Sequence, residues 1–154
     1  MLVMEKKSFT YTFPRLANRI ITPITLVNPA TGETFEARAL WDTGASSSAI
    51  SIVAAEFLRL KKVGRIVANG IYKSRKVNQY FVQARLSGDI RMMLLVSAFE
   101  SDFLVGVDCI IGMDVILEGD FAISSGEDKV TFTFRTPPGG VIDFTKPHKV
   151  SGPL

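Results

Sequence analysis

Thr34-Phe35-Glu36-Ala37-Arg38-Ala39-Leu40-Trp41-Asp42-Thr43-Gly44-Ala45-Ser46 opens as a strand and closes as a turn. Phe35, Ala37, Ala39 and Trp41 fall on one face and Thr34, Glu36 and Arg38 on the other, the period-two pattern of a half-buried strand. Asp42 therefore leaves the apolar edge of a sheet on a turn made of small residues. A carboxylate so placed is a candidate catalytic acid or base. It is equally the residue type that organises strand ends through Asx-turns, and Asp-Thr-Gly by itself does not choose between the two.

Working outward, residues 20–27 form the preceding strand, with Pro23 marking an edge position, and Asn28-Pro29-Ala30-Thr31-Gly32 turns the chain back into residues 33–41. Residues 51–58 read as a short helix capped by Ser51, offering Ile52, Ala55, Phe57 and Leu58 to the core. Residues 63–68 and 77–86 are strands joined across Asn69-Gly70, a strong turn signal. Residues 90–96 and 103–107 are apolar on both faces, which predicts strands sandwiched inside a closed sheet. Residues 113–118 suit one or two helical turns stopped by Gly119, and residues 120–124 and 129–135 form a last hairpin. Residues 9–13 alternate as a further strand. Strands at short spacing with one or two short helices predict an all-β, barrel-like domain.

Far downstream, Cys109-Ile110-Ile111-Gly112-Met113-Asp114 is an apolar run that ends in Gly and leads into the second helical pattern. An apolar strand delivering Asp42-Thr43-Gly44-Ala45-Ser46, a hairpin-rich middle, and then Ile110-Ile111-Gly112 resembles the retropepsin-like aspartic proteases, including small bacterial relatives of the retroviral enzymes. The resemblance covers about residues 18–135 and implies the closed, barrel-like acid-protease fold. Thr136-Pro137-Pro138-Gly139-Gly140 breaks the strand pattern, which divides the chain into a domain over 1–136 and a Pro- and Gly-containing tail over 137–154, either flexible or docked on a partner. The resemblance also implies that Ile110, Ile111 and Gly112 hold the Asp loop from behind, with Gly112 permitting close backbone approach.

Peptide hydrolysis needs a base for water and an acid for the leaving group, and two adjacent carboxyls that share one proton supply both. This chain carries one Asp-Thr-Gly. By the resemblance the second carboxylate comes from a twofold-related copy, so that Asp42 of each chain meets on the axis of a homodimer and a peptide or protein substrate lies between them. Thr43 then braces the dyad across the interface, Gly44 admits substrate backbone, and Ala45 keeps the floor small. The hairpin around Asn69 and Gly70 falls where the family has its flap; it also reads as an ordinary surface hairpin. Retroviral members often carry an acid after the motif Ala and an Arg after the later Gly. Here those positions are Ser46 and Met113, so that pair is missing, while Asp114 remains free to cap its helix or meet a loop. The same fold also serves catalytically silent dimerisation or peptide-binding adaptors, which leaves two classes of function open.

Other classes fare worse. The 154 residues, 47% of them hydrophobic, suit one domain with a continuous core. No segment is long enough to span a bilayer or to serve as a secretion signal, which predicts a soluble, cytoplasmic protein without a membrane partner. The lone Cys109 is read as a small buried hydrophobe. Net charge is +3, but the basic residues are scattered, and the densest group, Lys73, Arg75 and Lys76, reads as a solvated hairpin and not as a nucleic-acid patch. Asp108, Asp114 and Asp120 lack a cation-loop spacing and have local turn or cap roles, so no metal or other cofactor is expected. A Ser-His-Asp arrangement would have to recruit His148, the single His, from the tail.

Overall fold

A computed structural model describes residues 5–69 and 74–146. Its elements are β1 (Lys7–Pro14), β2 (Ile21–Val27), β3 (Thr34–Trp41), β4 (Ala49–Ser51), α1 (Ile52–Phe57), β5 (Lys62–Asn69), β6 (Ser74–Leu86), β7 (Ile90–Phe99), β8 (Cys109–Ile111), α2 (Met113–Ile116), β9 (Asp120–Ser125) and β10 (Lys129–Thr136). Strands β2, β3, β8, β4, β7 and β6 pair in that order, and β6 returns to β2, closing a six-stranded barrel; β5 extends it beyond β6. A separate three-stranded sheet runs β1-β10-β9.

The β2–β3 hairpin is antiparallel from Ile21 opposite Leu40 to Val27 opposite Thr34. Its turn is fixed by buried Asn28, whose side chain accepts the Ala30 N–H and donates to the Leu58 carbonyl, both within 2.9 Å. Pro23 lies where only β3 borders β2, since β6 reaches no further than Thr25, Leu26 and Val27. An edge tolerates its missing N–H. Ala37 and Ala39 face inward against Ile24, Leu26, Ile50, Val82 and Val96. Fully burying one such aliphatic side chain contributes on the order of 2 kcal/mol.

Trp41 faces the second sheet. Its ring centroid lies 4.8 Å from that of Phe132 and 5.1 Å from that of Phe134, while its indole N–H donates to the Thr22 hydroxyl at 3.0 Å. The three-stranded sheet is thus packed on the barrel at the residue just before Asp42. Helix α1 is capped as its sequence predicts, Ser51 Oγ accepting the Ala54 N–H at 3.1 Å. Its inward residues are Ala54 and Ala55, followed by Leu58; Phe57 is 57% exposed and lies edge-on to Phe35.

Phe57 was expected in the core and is not, and two further expectations fail. Residues 103–107 are turns and not a strand, because Phe103 N–H donates back to Glu100, Val107 N–H donates back to Leu104, and Gly106 takes a left-handed φ of 75°. Phe103 and Val105 end up on the surface. Strand β7 has apolar residues on both faces but buries only one of them, leaving Met93 and Leu95 outward. No helix among the described residues is long and apolar enough to cross a membrane.

Candidate active site

Asp42 sits one residue beyond β3, and β8 places it. Strand β8 runs parallel to β3, with Ala39 opposite Cys109 and Trp41 opposite Ile111, and antiparallel to β4 on its other side. The Asp42 N–H extends that ladder by donating to the Ile111 carbonyl at 2.9 Å. The chain then turns: Gly44 N–H donates to Asp42 Oδ1 at 2.8 Å and Ala45 N–H to the Asp42 carbonyl at 3.2 Å. A side chain at Gly44 would bring its Cβ to 3.1 Å from Asp42 Oδ1, so the motif Gly keeps the carboxylate uncrowded. Asp42 is half-buried, Thr43 and Gly44 are exposed, and Ala45 is half-buried. Among the described residues the Gly44 N–H holds Oδ1 of Asp42, and no hydrogen bond reaches Oδ2.

The loop is held again further along. Met113 N–H donates to the Ala45 carbonyl at 2.8 Å, and Gly112 N–H to Ser48 Oγ at 3.0 Å. Gly112 is buried so tightly that an added Cβ would stand 2.7 Å from the Ser47 carbonyl carbon and 2.9 Å from the Ala45 oxygen. Asp114 completes the brace by accepting both the N–H and the hydroxyl of fully buried Ser48, at 2.9 and 2.7 Å. Ile111 is fully buried behind the loop and Ile110 is half-buried. Sequence reasoning brought Asp114 toward a loop without naming Ser48, since nothing marks the third member of a Ser46-Ser47-Ser48 run as the buried one.

The depression beside Asp42 has a volume of about 510 Å3 and is lined by Trp41, Ile20, Arg15 and Arg19, with Ile123 and Ser125 of β9 on its far wall. A larger groove of about 920 Å3 lies along β7 and does not include Asp42. Of the hairpin residues, Asn69 ends β5 and accepts the Ser74 hydroxyl at 2.8 Å. Gly70 lies outside the described residues, as do Lys73 and His148. The other two acids weighed for a cation are engaged locally: Asp108 accepts the Arg38 N–H, and Asp120 accepts from Arg135 and Gly139. No cluster of three metal-ligating side chains occurs among the described residues. Cys109 is fully buried; that burial, reinforced by Asp114 and Asp108, pushes its thiol far above the ordinary range and keeps it neutral.

No protein-family model and no curated protein matches this chain. Among solved structures, a retropepsin-like aspartic protease from Rickettsia conorii is similar at 16% identity and a TM-score of 0.50, over 88% of this chain and 98% of that one. EIAV protease complexed with the inhibitor HBY-793 is similar at 19% identity and a TM-score of 0.44, over 66% and 88% of the two chains. Simian Foamy Virus (mac) protease is similar at 16% identity and a TM-score of 0.41, over 62% and 91%. The likeness to the rickettsial structure spans nearly the whole of both chains and is one of fold: this chain has the retropepsin-like aspartic protease fold.

Proposed function

We propose that the protein is an aspartic endopeptidase whose active site forms between two copies of the chain. The supporting observation is a single carboxylate, Asp42, on a turn braced from behind by β8 and Asp114, with one oxygen held by the Gly44 N–H and the other bonded to nothing among the described residues. Two such carboxylates facing one another cannot both ionise cheaply, so they hold one proton between them. The ionised member takes a proton from water as it attacks the scissile carbonyl, and the protonated member supplies one to the departing amine.

In this reading Thr43 braces the dyad across the twofold axis, Gly44 and Ala45 keep room for substrate backbone, and Ile110, Ile111 and Gly112 are scaffold. The β5–β6 hairpin that begins to turn at Asn69 is the lid. The second copy docks through β9, whose outer edge is unpaired among the described residues and whose Ile123 and Ser125 line the depression beside Asp42. Pairing β9 with its twofold mate extends each three-stranded sheet to six strands and brings the two depressions together.

The test is a peptide-library digest with wild type and Asp42→Asn side by side. The variant keeps its far-UV spectrum and loses at least about a hundredfold in rate, and the wild-type rate is bell-shaped in pH with an acidic to mildly acidic optimum. Undiminished cleavage by Asp42→Asn would exclude the dyad. A folded wild type that cuts nothing in the library leaves the silent, peptide-binding reading in its place.

A further inference from the structure

Strand β7 is bordered on both sides only at its end. Strand β6 follows one edge from Ile90 to Ser97, whereas β4 pairs with the other edge only at Ser97, Ala98 and Phe99. Among the described residues nothing bonds that second edge over residues 90–96. The 920 Å3 groove lies along it, with residues 90–95 forming one wall and Glu5, Lys7, Asp114 and Glu118 on the others. Successive residues of a strand point to opposite faces, so a wall built from six in a row is a wall of main chain. Seven residues of such an edge reach roughly 20 Å and present unpaired N–H and C=O groups, the template onto which an extended peptide adds as a strand.

The charges choose the peptide. Lys7 and Arg91, the cations of the groove, are both tied to Asp89, at 3.2 and 3.0 Å. Glu5 and Glu118 are exposed and have no ion-pair partner among the described residues, and Asp114 is occupied only by neutral donors. The groove therefore carries uncompensated negative charge beside the outward, apolar Met93 and Leu95, which are 55% and 43% exposed. Methionine adapts its shape to varied apolar partners.

We propose that this groove docks an extended segment of a partner protein in which basic and apolar residues alternate. The segment adds to the open edge of β7, its Lys or Arg side chains directed to Glu5 and Glu118 and its apolar ones to Met93 and Leu95. The site is separate from the Asp42 depression and operates whether or not Asp42 is catalytic.

The experiment titrates Asp42→Asn protein, which cannot consume the probe, with an end-blocked heptapeptide alternating Lys and Val. Amide NMR and fluorescence anisotropy are read together. Saturable binding is expected, with the largest shifts at residues 90–96. An N-methylated peptide that cannot pair along the edge, and one with Glu replacing Lys, should each bind at least tenfold more weakly. The exposed double substitution Glu5→Lys, Glu118→Lys should reverse the preference between the Lys and Glu peptides. If that variant does not fold, the two peptide comparisons decide the matter alone. Equal binding of the N-methylated peptide, shifts confined to the Asp42 depression, or closure of the edge by a second copy of this chain in sedimentation would overturn the proposal.

Discussion

At Asp120 two donors converge on one carboxylate: the Gly139 N–H at 2.7 Å and the Arg135 guanidinium at 2.8 Å. The Gly139 bond first, and Arg135 after it, hold this carboxyl below its ordinary value of 3.8. A carboxyl whose pKa is depressed in the folded state stabilises the protein above the unfolded pKa and loses that contribution as pH falls through the folded one. Asp120→Asn should therefore melt below wild type at neutral pH, with the two melting temperatures converging as the pH falls below the ordinary carboxylate range. A gap that persists in acid would mean that the contact acts through shape and not through charge. This bond also ties the chain beyond β10 to β9, which no sequence signal marks, because a carboxylate meeting an N–H 19 residues away has no local signature. Asp42 was legible for the opposite reason: a strand period and a small-residue turn lie within a dozen positions of one another. Ser48 was not, since its burial depends on Asp114, 66 residues further along.

The elements that sequence revealed are those whose cause is local. The β2–β3, β6–β7 and β9–β10 hairpins follow from alternating faces and turn residues between them. Strands β4 and β8 have only three residues each, too few to show a period, and their parallel partners are remote. The resemblance to a family, and not periodicity, pointed to residues 110–112 lying behind the Asp loop. Residues 103–107 misled because β-branched and aromatic composition marks apolarity, while Gly106 and two backward hydrogen bonds set the path. Gly112 is where element packing is tightest around the site. Gly112→Ala would press a methyl onto the backbone of residues 45 and 47, the first of which hydrogen bonds from Met113 and to Asp42 hold in place. Overpacking of that kind costs about 1–3 kcal/mol, read as a lower urea midpoint, and any peptidase activity should fall further than stability does. An unchanged midpoint would mean that the loop is looser than its bonds imply.

At the scale of the whole molecule, the proposed dimer rests on the three-stranded sheet, whose β9 edge is unpaired among the described residues. If β9 joins its mate, Ile123→Pro removes a ladder donor at the centre of the joint. Specific activity should then fall on dilution at protein concentrations where wild type stays dimeric, and excess Asp42→Asn chains should poison wild type through mixed dimers. Undiminished activity of an isolated monomer would exclude a shared site. The order β1-β10-β9 was beyond sequence reasoning, because either terminal strand fits any open edge by its own pattern.

That order has a topological consequence. Lys7 is the ladder partner of Thr136, so the first and last strands finish side by side, about 5 Å apart, and the path of the backbone is a ring cut at one point. Where the cut falls is then a property of the chain and not of the architecture. A circular permutant that joins these ends with a short Gly/Ser linker and reopens the exposed turn at Ser101 and Asp102 should reach the same far-UV spectrum and melt in one cooperative step.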